Sequence, residues 1–444
     1  MRPKINRRSF VGKTSAAIAA GPLLVSQGSA ALPNSTINHA VIGTGGRGTQ
    51  HVKRIDSLAG TRVVAVCEVD PKLLDRAANI PQGNPVKKYK DFRKLLENND
   101  IDSVSICTPD HWHTPMAMAA ILAGKHVFVE KPCSHTLREA ELLAKCAQQH
   151  NKCVQHGTQR RTEAVEIAGV KALSEGVIGD IYMSKAINHQ LRKKIGKASP
   201  EAAPPGVDYD HWLGPAPVKP FTQNRWHYNW HWFWDFGGGD LVNDGIHQLD
   251  HAIWGMGLDL KYPESIITSG GQLWYDDDHE TPDTQTINYE YGSRQIIYEM
   301  RLWTPYKMEG HDNGTVWYGT KGRLESGRKG VVATVGDRKW NIKPEDYGID
   351  DQFEEKWGVW SSIYTDFFSA IRNNDHKSLK SPIETGAVTT SLCHLGNIGV
   401  RCGGGKLVFN PTESKITYAG ENLDLANQLL TKEYRPGYEL PYTG

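Results

Sequence analysis

The residues best suited to chemistry begin with Gly43-Thr44-Gly45-Gly46-Arg47-Gly48, a GxGxxG spacing between a short apolar run and a helical one. In that pattern the first glycine makes a tight turn and the second lets backbone approach a pyrophosphate. The third lets the helix pack closely on the strand. A helix N-terminus placed there offers free N–H groups and a positive dipole to phosphates. Glu68 stands near the end of the next strand-like run, about 20 residues on, where a carboxylate accepts hydrogen bonds from adenosine ribose hydroxyls. Such a carboxylate favours NAD over NADP. Val69-Asp70-Pro71 places no arginine for a 2′-phosphate, although Arg47 and Lys72 are nearby cations. A glutamate that simply ends a strand is the plainer account of Glu68.

These residues need a scaffold, and the surrounding pattern supplies one. Strands are expected at 39–42, 61–67, 101–108, 126–129 and 151–155, with helices at 49–58, 72–79, 116–123 and 136–150 between them. Thr136 with Glu139 three residues on reads as a capping box. Short apolar strands alternating with helices imply a parallel sheet covered on both faces. After about Gly157 a helix at 164–174 leads into longer, more polar strands at 181–188, 284–291, 295–303 and 316–319, which implies an antiparallel sheet. Helices at 363–372 and 387–397 close the chain. The expected class is α/β: a doubly wound Rossmann domain over 36–157, then an α+β domain with an open, mostly antiparallel sheet over 158–444. Residues 199–236 form a Pro- and Trp-rich insert within the second part.

Bulk properties narrow the function. With 51 basic and 50 acidic residues there is no global field to draw in nucleic acid or an anionic membrane. Residues 1–31 read as a leader: basic residues around Arg7 and Arg8, an apolar run from Ala16 to Val25, then small residues. That run is too short to span a bilayer, so no membrane span is expected in the mature form. Asn6-Arg7-Arg8-Ser9-Phe10-Val11 is similar to the twin-arginine export signal, placing the mature protein in the periplasm or outside the cell. Seven cysteines form no disulfide framework in so long a chain, although Cys393 and Cys402 are candidates to pair. No spacing resembles a metal site.

Three further segments carry a resemblance. Thr108-Pro109-Asp110-His111-Trp112-His113 follows one strand and Glu130-Lys131-Pro132 ends the next. Farther on comes Gly237-Gly238-Gly239-Asp240-Leu241-Val242-Asn243-Asp244-Gly245-Ile246-His247. With the glycine turn, in this order, they resemble the Gfo/Idh/MocA oxidoreductase family over essentially the whole mature chain, in its secreted branch. The resemblance implies substrate bound between the second sheet and a nicotinamide. It places Thr108, Pro109, His111 and His113 along the cofactor, and Glu130 and Lys131 on its nicotinamide side. Asp244 and His247 fall on the catalytic positions. Gln159 joins the cofactor set and Arg160 the substrate set. A dimer or tetramer is the oligomeric state implied.

The same residues can be read chemically. Oxidising a secondary alcohol needs a hydride acceptor and a base for the hydroxyl proton. His247 is the natural base, because an unperturbed imidazole titrates near operating pH. Lys131 would stabilise a developing alkoxide and could equally be the base; His247 is favoured. Asp244, one helical turn earlier, could hold either the imidazole or a substrate hydroxyl. Spacing alone leaves His251 on the same face, and an Asp and His three apart are often only a local pair. The family match ranks Asp244 and His247 ahead.

Residues 225–236 are the densest aromatic run. Trp226, His227, His231 and Trp232 are candidate contacts to a sugar ring, or else they pack a core or an oligomer interface. Three functions remain open. The first is a sugar or polyol dehydrogenase with tightly held NAD. The second is an NAD-dependent glycosidase of the same family, where transient oxidation activates a sugar for elimination and rehydration. The third is a non-catalytic NAD- and sugar-binding sensor. The full Glu130-Lys131-Pro132 segment favours the first.

Overall fold

The structure, a computed structural model, describes residues 36–83, 85–349 and 362–444. The expected leader over 1–31 lies outside the described residues.

The chain opens with β1 (Ile37–Ile42), α1 (Gly46–Asp56), β2 (Thr61–Cys67), α2 (Pro71–Ala78), β3 (Lys87–Tyr89) and α3 (Phe92–Leu96). It continues through β4 (Ser103–Ile106), α4 (Asp110–Leu122), β5 (His126–Val129), α5 (Leu137–Gln149) and β6 (Val154–His156). These strands form one parallel sheet in the order β3-β2-β1-β4-β5-β6. All four residues of β4 are buried, and five of the six in β1, as a sheet covered on both faces requires. The order reverses beside β1, and the crevice at such a switch point is where open α/β sheets bind ligands. The expected capping box is only half formed. Thr136 Oγ accepts from the Glu139 N–H at 3.3 Å, but the Glu139 carboxylate reaches back one residue further, to the His135 N–H at 2.7 Å.

Beyond α6 (Ala164–Ser174) the second sheet begins with β7 (Ile181–Asn188), followed by α7 (Tyr209–Leu213) and α8 (Ile246–Gly255). Its remaining strands include β8 (Ser265–Gly271), β9 (Thr284–Tyr291), β10 (Arg294–Arg301) and β11 (Asn313–Gly319). Then come β12 (Gly322–Gly327), β13 (Gly330–Val335), β14 (Arg338–Asn341), α9 (Ser362–Arg372), α10 (Ile383–Arg401), β15 (Gly405–Asn410) and β16 (Lys415–Tyr418). A short α11 (Leu423–Gln428) precedes the tail. The sheet runs β14-β13-β12-β11-β7-β10-β9-β8-β15-β16 and is antiparallel except where β7 meets β10. β9 alternates, with Gln285, Ile287 and Tyr289 buried between less buried neighbours. That is the pattern of a sheet with one face on helices. Tyr289 donates to the Leu392 carbonyl of α10 at 3.0 Å, and the Trp317 indole to Ala252 of α8 at 3.3 Å.

The division expected at 157/158 separates the sheets but not the packing. Ile363, Tyr364, Phe367 and Phe368 of α9 share a core with Ile37, Val41, Val52 and Phe128. Tyr438 of the tail stands edge-on to Trp112. Cys393 and Cys402 do not pair. They lie nine residues apart at the end of one helix, roughly 13 Å by helical rise, where a disulfide tolerates about 7 Å between Cα atoms.

Candidate active site

The glycine turn joins β1 to α1. Gly43 has φ of +80°, and a Cβ there would lie 2.8 Å from the Cys107 carbonyl. A Cβ on Gly48 would lie 1.8 Å from Gly43 O, so helix and strand meet with no room for a side chain. Around Gly45 and Gly46 the space is open within 4 Å. Two glycines are thus demanded by packing and two face a cleft.

That cleft has a volume of about 520 Å³, within the usual range for cofactor sites. Of the residues assigned from sequence, Gly43, Gly45, Gly46, Arg47, Glu68, Thr108, Pro109, His113, Glu130, Lys131, Trp226, His227 and His231 line it. Glu68 braces the loop. Its Oε2 accepts from the Thr44 N–H at 2.7 Å, and Oε1 from the Val69 and Asp70 N–H groups at 2.8 and 3.2 Å. Its carboxyl is pushed up by burial, against those three bonds. Arg47 pairs with Glu130 at 2.6 Å, and His51 reaches the same carboxylate oxygen at 2.9 Å. Burial pushes Glu130 up, but Arg47, His51 and Lys131 outweigh it and hold the carboxylate well below its ordinary value. The His113 ring lies between the carbonyls of Thr108 and Pro132. Open space at Gly45 and Gly46, a helix N-terminus and Glu68 just past the end of β2 fit a dinucleotide.

On the β5 side, the Lys131 ammonium donates to Asn243 Oδ1 at 3.2 Å. Asn243 Nδ2 donates to Asp240 at 2.9 Å and to the Tyr228 hydroxyl at 3.3 Å. Asp240 is fully buried between Arg192 at 2.9 Å and Asn188 at 3.0 Å. Asn243 and Asp244 sit in a π-helical turn, Leu241–Gly245, that leads into α8. Such turns widen the helix and are frequent at functional sites. Asp244 does not hold the imidazole of His247. It accepts from Asn313 Nδ2 at 2.6 Å, and Asn313 Oδ1 in turn accepts from Arg160 at 3.4 Å. Burial, then the charge of Asp240, pushes the Asp244 carboxyl up to about 6. His247 is buried, its Nδ1 without a hydrogen-bond partner. Burial first, then the charges of Lys131 and Arg160, holds its pKa well below the ordinary value. The imidazole is therefore neutral, but the same burial and charges disfavour its protonated form, so it is a weaker base than the unperturbed imidazole expected from the sequence.

Several assigned residues lie elsewhere. His111 is fully buried and points away from the cleft, its Nε2 3.0 Å from the Trp212 carbonyl, and burial lowers it to about 3. Gln159 is buried outside the cleft wall, its Oε1 unpartnered. Trp232 is a core residue, 5.2 Å from the His279 ring. His251 stands edge-on to Trp317 in the core, 3.3 Å from Glu166. The insert also does something not foreseen. His211, Trp212, Trp226, His227, Tyr228, Trp230 and His231 roof the cofactor cleft itself. Asp208 N–H bonds to Val69 O at 3.1 Å, and His227 lies 3.5 Å from Asp70. Asp240, Asn243, Arg192, Tyr228 and Asn313 were missed, as was Asp110, a buried carboxyl pushed up to about 8 by burial, with Lys131 the main opposing charge. Among the described residues no group of three or more His, Cys, Asp or Glu is arranged to hold a metal ion, and no helix is long and apolar enough to cross a membrane.

Comparison with known proteins agrees with this geometry. Residues 37–158 match the model of an oxidoreductase family with an NAD-binding Rossmann fold, and 185–339 that of its C-terminal alpha/beta domain. The chain belongs to the Gfo/Idh/MocA oxidoreductase family, and its cofactor is NAD. It is 32% identical over 217 residues to a glycosyl hydrolase family 109 protein of Shewanella pealeana, covering 43% of this chain and 47% of that one. To a glycosyl hydrolase family 109 protein of Solibacter usitatus it is 31% identical over 218 residues, covering 45% and 49%. The matched part spans about half the length of these relatives. Among solved structures, the aldose-aldose oxidoreductase of Caulobacter crescentus complexed with glycerol superposes with a TM-score of 0.65 at 17% identity, covering 84% of this chain and 100% of that one. The WlbA dehydrogenase of Chromobacterium violaceum, in complex with NADH and UDP-GlcNAcA, gives 0.66 at 19% identity, covering 85% and 96%. These two share the fold.

Proposed function

We propose that this chain is an NAD-dependent oxidoreductase acting on a sugar, polyol or sugar derivative, with the cofactor tightly held. The observation that carries this is the Lys131–Asn243 pair on the wall of a cleft floored by the glycine turn, with Asp244 and neutral His247 buried behind that wall, near enough for the Lys131 charge to act on both. Bound NAD supplies the hydride acceptor. His247 takes the hydroxyl proton on its unprotonated ring. Lys131, oriented by Asn243, stabilises the alkoxide as it forms. Asp244, tied to Asn313 and Arg160, orients a neighbouring hydroxyl. Lys131 remains the other candidate for the base, and a pH profile of a His247→Ala enzyme separates them.

The test is a panel of sugars and polyols offered to the purified protein, with NADH absorbance or stoichiometric two-sugar exchange as readout. A second reading, an NAD-dependent glycosidase, is favoured by the family 109 names of the relatives. It predicts release of nitrophenol from a nitrophenyl glycoside without net NADH. Neither signal, with NAD firmly bound, would leave the sensor.

The leader reading adds that a protein exported folded leaves the cytoplasm with its cofactor already bound. Arg7→Lys with Arg8→Lys should retain it in the cytoplasm; export of that double variant would refute the twin-arginine route. A homodimer or homotetramer is proposed from the family resemblance, to be read by light scattering.

A further inference from the structure

The loop over 272–283 carries a feature that the cleft does not use. Buried Asp283 accepts from the backbone N–H groups of Leu273 at 3.1 Å and of Trp274 and Tyr275 at 2.8 Å each. This clamp holds Trp274 60% exposed and stacked on Trp303, with ring centroids 5.5 Å apart and planes at 29°. The Trp303 indole is fixed in turn by Thr284 Oγ at 2.9 Å. One indole is thus pinned from beneath while its outer face meets water. Leaving that area exposed forfeits burial free energy. A flat apolar face suits the C–H face of a sugar ring, and polar groups close by in the chain could meet its hydroxyls: Asp276, paired with Lys197, is two residues from Trp274, and Arg301 is two residues from Trp303.

The platform is tied to the active cleft through Arg192 and the ends of two strands. β7 and β10 run parallel with Met300 opposite Asn188, so their C-terminal ends lie together. Asn188 bonds to Asp240 in the network behind Lys131, and Trp303 follows the end of β10 by two residues. Arg192 joins the two regions. Its carbonyl accepts from the Tyr275 hydroxyl at 2.6 Å, and its guanidinium reaches Asp240 at 2.9 Å and the cleft residue Tyr228 at 3.3 Å.

We propose that Trp274, backed by Trp303, is an outer sugar subsite. The substrate is then an oligosaccharide or glycoside whose reacting ring enters the cleft while a ring farther along the chain stacks on Trp274. The proposal rests on the carbohydrate reading above and names its substrate class. One partly exposed indole offers roughly 150 Å². A stable protein interface needs about 1,200 Å², so a sugar ring is favoured over a second copy of the chain.

Calorimetric titration of the NAD-loaded protein with glucose, cellobiose, maltotriose, N-acetylglucosamine and diacetylchitobiose tests this. At least one longer sugar should bind about tenfold tighter than its monosaccharide. Trp274→Ala should remove that difference and Trp274→Phe keep part of it. Equal affinity at every length, no binding of any sugar, or a gain that survives Trp274→Ala overturns the subsite. So does conversion of an oligomer to monomers by Trp274→Ala, which would make the platform an interface between copies. NADH formation is followed separately. Length-dependent binding without turnover in any assay would sink the oxidoreductase reading and leave the subsite standing.

Discussion

Lys131 and Asn243 are joined by a hydrogen bond of 3.2 Å that crosses from the end of β5 to the π-helical turn before α8. Asn243 is itself held by Asp240, which is fully buried and paired with Arg192. The position of the Lys131 ammonium is therefore decided by a chain of groups reaching back to Arg192, just beyond the end of β7.

Asn243→Ala removes the only hydrogen bond recorded for that ammonium among the described residues. A hydrogen bond to a charged group is worth about 1.5–3 kcal/mol. If it acts at the transition state, kcat falls roughly tenfold to a hundredfold with a smaller change in KM. Steady-state kinetics on any active sugar decides; an unchanged kcat would remove Asn243 from the mechanism.

Gly45→Ala and Gly48→Ala should fail in different ways. The Gly48 Cβ has nowhere to go against Gly43 O, so that variant loses about 3 kcal/mol of stability. The Gly45 Cβ meets nothing, so that variant melts near wild type but weakens NAD about tenfold or more, because the methyl occupies the approach to the pyrophosphate. Thermal melting and NAD titration read the two effects independently.

Asp244 gives a pH signature. Its carboxyl titrates near 6 in the folded chain, raised by burial and then by Asp240. The folded state thus holds a proton that the unfolded state has released. The associated stability is complete below about pH 4 and lost as pH rises through about 6, to a total of about 3 kcal/mol. Between pH 4.5 and 7 denaturant melts should show about 2 kcal/mol of this loss in wild type relative to Asp244→Asn, the rest having gone by pH 4.5; parallel behaviour would refute it.

Asp240→Asn should move the same group. Without the neighbouring charge Asp244 shifts back toward the ordinary carboxylate value, so any activity limb that follows its ionisation moves to lower pH. A limb that stays in place would show that Asp240 only supports packing.

The parallel sheet was legible because β1, β2, β4 and β5 are short apolar runs between helical segments. β12, β13 and β14 were missed: β12 and β14 are brief and largely polar, and β13, though apolar, is only six residues between turns, so no apolar period marks them. His111 shows the limit of a motif. Residues two apart on a helix face nearly opposite ways, so His113 turns to the cleft while His111 turns to Trp212. Arg192, Asn243 and Asn313 carry no pattern of their own. Folding alone brings these positions to Lys131 and Asp244 from three distant stretches.

The aromatic roof changes what release of the cofactor would involve. NAD bound beneath it would behave as a piece of the interior that happens not to be covalent, and its escape would require Trp212, Trp226 and Trp230, buried residues of the cleft lining, to give up buried surface first. Residence time then follows the opening rate of residues 206–231 rather than the strength of any phosphate contact. By mass action the occupied molecule gains about 4 kcal/mol at a thousandfold excess over Kd. The empty chain should therefore be cut by protease within the roof, and the filled one spared.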